Sequence, residues 1–320
     1  MPEKFYPLGT PIVSSCSDAV NTAPALGEVS ERDKLWDNRR SNADCVANHY
    51  RGSEFEKYAD RIDCCSQLLG FKLVPNVDLG ELILKLSSAH FCRVRHCPVC
   101  QWRRALMWKA KAYGILPEVV KDFPSCRWLF LTLTVKNCQI SELRDELVSM
   151  NKAWQRLVKL RKFPAIGWIK SMEVTRGTDN LAHPHFHCLL LVRSGYFAGK
   201  TYLKQSEWSE MWQRCLRVDY QPILNIQAVK KGTDPASLVP ELLKYCVKES
   251  DLIENRDWFL ELTKQLHKMR AVSVGGVLKD YLKALEREPE DLVGQGDEDG
   301  VDEGHLYFGW RKYEKKYRMT

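Results

Sequence analysis

The stretch Leu181 to Val192, LAHPHFHCLLLV, constrains this chain more than any other. His183, His185 and His187 alternate with Pro184, Phe186 and Cys188 before an apolar run from Leu189 to Val192. Alternation with period two predicts a β-strand with all three imidazoles on one face. Neighbouring imidazoles on that face stand about 6–7 Å apart, close enough to share a metal ion. A lone histidine on a strand usually decorates core or surface, but three at alternate positions point to metal binding or catalysis.

The flanking segments supply partners for that strand. WLFLTLTV, Trp128 to Val135, reads as a second strand, followed by an amphipathic helix from an N-cap at Ser141 to about Phe163. Trp168 to Val174 is a third strand, joined to the histidine strand by TRGTDN, which has hairpin turn chemistry. Counting back across that turn puts Glu173 opposite His183 or His185 and on the same face. A carboxylate facing two imidazoles leaves open positions for a divalent ion and substrate oxygens. A helix around Ser206 to Cys215 follows, and the segment Arg217 to Val229 reads as another strand. PELLKYCVKES then opens with Pro240, which suits a first helical turn. On a helix there, Glu241, Tyr245 and Lys248 share a stripe, either a catalytic array or an ordinary amphipathic surface. The remainder to about Leu285 reads as helical apart from a turn at Gly275-Gly276.

A second cluster lies upstream. Cys97-Pro-Val-Cys100 is a C-x-x-C knuckle able to aim two thiolates at one ion, and Cys92 precedes it by five residues. A tetrahedral zinc needs a fourth ligand, for which Cys64, Cys65, His90 and His96 are candidates. Cys65 is preferred because a distant ligand ties the helical segment Ala47 to Leu69, ending at Gly70, to the knuckle. Buried or redox-active thiols are the other reading, but a redox C-x-x-C normally follows a strand and has no third cysteine nearby. Trp102, Arg103, Arg104, Lys109 and Lys111 lie on a helix running to about Val120, as a phosphate-contacting or simply solvated face.

Charge is distributed unevenly. The net charge is +7, yet acidic residues crowd the segment from Glu286 to Glu303, so the body before it is distinctly basic. A basic body with interleaved aromatics suggests a polyanionic partner, nucleic acid first. No apolar run approaches the roughly 18–20 residues of a membrane span, and the start lacks a basic-then-apolar signal sequence, so a cytoplasmic location is expected. There is no internal repeat. Residues 1–45 read as a poorly ordered arm, and the acidic run as a linker to LYFGWRKYEKKYRM, aromatic enough to dock back on the body.

These pieces in this order resemble the replication initiators of rolling-circle plasmids, within the superfamily of HUH endonucleases. FLTLT at Phe130 to Thr134 is similar to that family's first motif, HPHFHCLL at His183 to Leu190 to its metal-binding motif, and ELLKYCVK at Glu241 to Lys248 to its nucleophile motif. The cysteine cluster with CPVCQWRR is similar to a zinc-binding region preceding the nuclease core in one plasmid subfamily. The resemblance implies an α+β fold: an HUH core with a central antiparallel sheet flanked by helices (ferredoxin/RRM-like), and an N-terminal zinc-binding region. The implied organisation is a flexible arm at 1–45, a helical zinc-binding region at 46–122, an endonuclease domain at 123–285, and an acidic linker with an aromatic tail at 286–320.

It further implies that Tyr245 attacks a phosphodiester of plasmid origin DNA, single-stranded at the nick site, leaving a 5′-phosphotyrosyl enzyme and a free 3′-hydroxyl. His185, His187 and Glu173 would hold Mg²⁺ or Mn²⁺, and Cys65, Cys92, Cys97 and Cys100 a structural Zn²⁺. Glu241 would activate water for the closing hydrolysis, and Lys248 would stabilise phenolate or phosphate. Host helicase and polymerase are the expected partners, with no membrane. A conjugative relaxase or transposase of the same superfamily would share the nicking chemistry; a non-catalytic zinc DNA-binding protein would need no Tyr245.

Overall fold

The computed structural model describes residues 23–76, 80–199, 201–230, 233–243, 247–285 and 305–320. Helices α1 (Leu26–Val29), α2 (Leu35–Tyr50) and α3 (Glu56–Asp63) lead into strands β1 (Leu68–Asn76) and β2 (Glu81–Ala89). The long α4 (Pro98–Asp122) follows, then β3 (Arg127–Thr134), α5 (Leu143–Leu157), β4 (Ala165–Arg176), β5 (Ala182–Val192), α6 (Gln205–Leu216) and β6 (Leu224–Ala228). Short helices α7 (Val239–Leu242) and α8 (Glu249–Ile253) precede α9 (Arg256–Gln265), β7 (Val272–Gly276), α10 (Leu278–Leu285), and the terminal strands β8 (His305–Arg311) and β9 (Lys316–Met319).

The histidine strand β5 is the centre of a five-stranded antiparallel sheet ordered β6-β3-β5-β4-β7. Both faces of its second half are covered, which is why Leu189 to Val192 is apolar without alternation. Leu143, Leu147, Met150 and Trp154 of α5 and Trp208 and Trp212 of α6 pack on the face carrying Met172, Phe186 and Cys188. Ile115, Leu116 and Val119 of α4, with Leu242 and Leu278, cover Ile169, Leu189 and Leu191 on the other. A second antiparallel sheet, β2-β1-β8-β9, brings the C-terminus onto the N-terminal region. The fold is therefore α+β with antiparallel sheets, and among the described residues no helix is long and apolar enough to cross a membrane.

Several expectations are corrected. The arm reading of 1–45 fails from Ala25 onward, where α1 and α2 form. Its helical stripe of Trp36, Ala43, Val46, Ala47 and Tyr50 was obscured by Arg40 and Asp44, whose side chains are buried together at 2.8 Å. Trp310 Nε1 donates to the same Asp44 carboxylate at 3.0 Å, so the aromatic tail docks as expected. The segment from Ala47 to Leu69 is not one helix, and the cysteine region is not wholly helical, because β1 and β2 form a hairpin inside it. Gly70 lies within β1 rather than ending a helix: a Cβ there would stand 2.3 Å from Ser88 Oγ.

Ser141 belongs to a 3₁₀ turn, Ile140–Glu142, and α5 stops at Leu157 rather than near Phe163. Only Leu224–Ala228 of the segment Arg217 to Val229 is strand, because Arg217 takes the left-handed conformation (φ 64°) that ends α6. Gly275 and Gly276 end a strand, β7, that pairs with β4. The helix expected from Pro240 breaks at Leu243 (φ −109°, ψ 41°), and Lys248 is extended (φ −63°, ψ 144°), so Glu241 and Lys248 do not share one helical stripe. Tertiary hydrogen bonding prevails over helix propensity here, as the site geometry explains. Tyr245 and the acidic run 286–304 lie outside the described residues.

Candidate active site and metal centre

In the β4–β5 ladder Glu173 is paired with His185 and Ser171 with His187, and in the β3–β5 ladder Thr132 faces His187 and Thr134 faces His185. The period-two pattern on three adjacent strands therefore collects two imidazoles, a carboxylate and the hydroxyls of Thr132, Thr134, Ser171 and Thr175 on one face. His187 Nε2 meets Glu173 Oε2 at 2.8 Å, and its Nδ1 lies 3.3 Å from Thr132 Oγ1, so both ring nitrogens are held. His185 Nε2 lies 3.1 Å from Thr175 Oγ1, with the two imidazole centroids 6.2 Å apart. Burial holds His185 below the ordinary imidazole value; Glu173 opposes this, while His187, His183 and Lys248 add to it. A neutral imidazole is the form that can ligate a metal.

His187 and Glu173 are thus already in contact, whereas His185 is turned to Thr175. The donor types suit a divalent ion and all leave the same side of the sheet, but their ligand atoms do not converge on one point: among the described residues only the four cysteines bring three or more donor atoms together. His183 stands apart at the hairpin end, 3.7 Å from Asp179. Gly177 gives that pair room, since a Cβ there would lie 2.3 Å from Asp179 Oδ1 and 2.4 Å from His183 Nε2.

Two anchors tie the segment following α7 to this face. Ser171, on the His187 row, donates its hydroxyl to the Leu242 carbonyl. Val247 forms a parallel bridge with Val174, next to Glu173. Glu241 is exposed on α7, and Lys248 follows Val247 directly, also exposed. Thr132, Thr175 and Ser171 escaped the reading of the sequence as site residues, although for Thr132 the motif FLTLT carried the signal, its threonines alternating as the histidines do.

The second cluster is tighter. Among the described residues, the ligand atoms of Cys65, Cys92, Cys97 and Cys100 converge, all within 4.8 Å of one another and all buried. Sulfur–sulfur separations are 3.6 Å for Cys65–Cys100, 3.5 Å for Cys92–Cys100 and 3.8 Å for Cys65–Cys97. Four thiolates about 2.3 Å from a tetrahedral ion stand about 3.8 Å apart, so the cluster fits a metal such as zinc. Burial pushes the Cys97 thiol well up, so the thiolate form there needs a cation beside it. Cys64 is exposed and outside the cluster.

Pro98 opens α4 immediately after the knuckle, and the basic run on that helix is largely committed to structure. Arg104 donates to the carbonyls of Cys100 (3.2 Å) and Val94 (2.7 Å). Arg103 stacks 5.7 Å from the Trp36 ring and 5.9 Å from Phe91, and Lys111 lies 5.4 Å from the Trp108 ring.

Comparison of the sequence with known proteins places the chain in a family. The family model described as Replication protein (Rep_1) matches residues 83–318, spanning the cysteine knuckle, the histidine strand and the C-terminal hairpin. The chain is 33% identical over 299 residues to Protein rep of Bacillus amyloliquefaciens, covering 82% of this chain and 86% of that protein. Protein rep of Lactiplantibacillus plantarum is 36% identical over 292 residues, with 84% and 88% covered. That of Streptococcus pneumoniae serotype 2 is 33% identical over 278 residues, with 83% and 85% covered. No solved structure matches. With the family model matching most of its length and relatives aligned nearly end to end, the chain belongs to the Rep family of plasmid replication initiators.

Proposed function

We propose that this initiator is a site-specific DNA endonuclease and strand transferase of the HUH type, which nicks the plasmid origin to start rolling-circle replication. The observation that carries the reading is the Glu173–His187 contact of 2.8 Å beside His185 on the central strands. Chain connectivity adds support: Tyr245 lies between Leu242, whose carbonyl accepts from Ser171, and Val247, which bridges Val174, so the chain on either side of it is tied to β4 near Glu173.

In the proposed reaction the Tyr245 oxygen attacks phosphorus in line, the phosphorus–O3′ bond breaks, and the departing O3′ takes a proton. The products are a 5′-phosphotyrosyl enzyme and a free 3′-hydroxyl for a polymerase to extend. His185, His187 and Glu173 would hold Mg²⁺ or Mn²⁺, which when bound supplies charge neutralisation at the nonbridging oxygens. Thr132 orients the His187 imidazole, while the contact of His185 Nε2 with Thr175 would give way to the ion. Lys248, whose charge is felt at His185, suits stabilisation of phenolate or phosphate. Glu241 is the candidate for activating water in the closing hydrolysis. The four cysteines would hold structural Zn²⁺, and origin DNA, single-stranded at the nick, is the partner with host helicase and polymerase.

A gel resolving a protein–DNA adduct tests this. Wild-type protein with an origin oligonucleotide and Mg²⁺ or Mn²⁺ should form one, and Tyr245→Phe should not. An adduct of equal yield from the variant would remove Tyr245, while absence of any adduct or nick from wild type would favour a non-catalytic binding protein.

A further inference from the structure

A pocket of about 200 Å³ lies between the knuckle loop and the end of α9. Its lining includes Arg61, Arg93, Arg95 and Lys268, together with His96 and His267, and among the described residues no aspartate or glutamate lines it. Like charges gathered around one cavity favour the entry of an anion.

Three further observations point the same way. His96 is 1% exposed, yet neither ring nitrogen has a hydrogen-bond partner, an arrangement that is costly for an imidazole in the interior. Two of the guanidiniums are tethered: Arg61 donates to the Cys92 carbonyl and Arg95 to the Met269 carbonyl. Arg93 and Lys268, from the knuckle loop and the end of α9, both line the pocket with exposed side chains.

We infer that this pocket binds a phosphate group, contributed either by a free nucleotide or by the backbone of DNA. Guanidinium, ammonium and imidazole N–H groups surrounding a small cavity match a tetrahedral oxyanion, which accepts hydrogen bonds in several directions. A cavity of this size has room for a tetrahedral oxyanion. No residue is shared with the His185–His187–Glu173 face, so the inference stands apart from the nicking reading.

The test is titration of the full chain with inorganic phosphate at fixed pH and ionic strength, followed by ³¹P line broadening, for wild type and for Arg93→Gln/Lys268→Gln. Both replaced side chains are exposed, so melting temperature and metal content should be unchanged, while phosphate affinity falls about tenfold or more. Equal affinity in the two proteins, or no saturable binding by wild type up to about 10 mM phosphate, overturns the inference. Competition then separates the sources. Displacement by 5′-dAMP alone supports a nucleotide site, and displacement by an oligonucleotide lacking terminal phosphates supports a backbone site. Displacement by neither overturns the assignment.

Discussion

The Gln101 side-chain amide donates to the Val247 carbonyl at 3.2 Å, joining the residue that follows Cys100 to the one that bridges Val174 beside Glu173. The cysteine cluster and the histidine face are thereby connected through a single side chain. Replacing Gln101 with Met keeps the volume but strands a buried carbonyl, at a cost of about 1–3 kcal/mol. If Val247 positions the nucleophile segment, Gln101→Met should slow adduct formation about five- to thirtyfold in single-turnover assays, with metal content unaltered. An unchanged rate would show that the connection carries no positional information.

Metal removal should act through the same route. The purified chain should contain about one zinc per molecule, and Cys100→Ser should lower both zinc content and melting temperature. Freshly prepared, active protein free of zinc would contradict the assignment. Because α4 begins at the knuckle and packs on the central sheet, chelation should also reduce nicking, even though no cysteine belongs to the histidine face.

On that face, His187→Ala should abolish cleavage in Mg²⁺ or Mn²⁺ while leaving origin binding largely intact, and His185→Ala should do the same. His183→Ala should be milder, since His183 faces Asp179 at the hairpin end. Nicking rates and gel-shift affinities measured side by side check this; full nicking by either of the first two variants would remove the pair from the site.

How much of this was legible depended on whether a pattern was local. The alternation of His183, His185 and His187 names a strand directly, and the short TRGTDN turn carries that parity back to Glu173. Arg40 and Asp44 defeated the same kind of reading in α2, because a buried ion pair looks like surface in a sequence. The stretch after Pro240 had good helix propensity, but Ser171 captures the Leu242 carbonyl and Val174 bridges Val247. Partners some 70 residues away cannot be seen in local periodicity. Thr132 and Thr175 needed the ladder register before their hydroxyls could be assigned to the imidazoles.

Lys170 offers a test of the core. Its ammonium lies 3.6 Å from the Phe186 ring centroid and donates to Asn151 Oδ1 at 2.8 Å. Burial lowers its pKa from 10.5 to about 8. Between those values the unfolded chain holds a proton that the folded one has released, so stability should rise with pH across that window and carry the full penalty below it. Lys170→Met should therefore raise the melting temperature at pH 7 by about 2–6 °C, with the gain shrinking toward pH 10.5. A lower melting temperature at every pH would mean that the ring and amide contacts outweigh the burial cost.

Glu241 is where the structure and the proposed chemistry make the sharpest distinction. It sits exposed on α7, a helix that ends one residue later, so a fixed one-turn offset from Tyr245 no longer supports its role. What remains is proximity through Leu242, whose carbonyl is held by Ser171 on the His187 row. On the proposed mechanism this carboxylate would act on water in the closing hydrolysis and take no part in the phenol's first attack. Its alternative role is to complement the N-terminal dipole of a short helix, worth about 0.3–1 kcal/mol. If Glu241 activates water, Glu241→Ala should form the adduct at the wild-type rate but release it slowly, so that adduct accumulates in a time course. If it serves only the helix, turnover should match wild type and only a small drop in melting temperature should appear. Because initial adduct formation is unaffected in both cases, its hydrolysis rate alone decides between them.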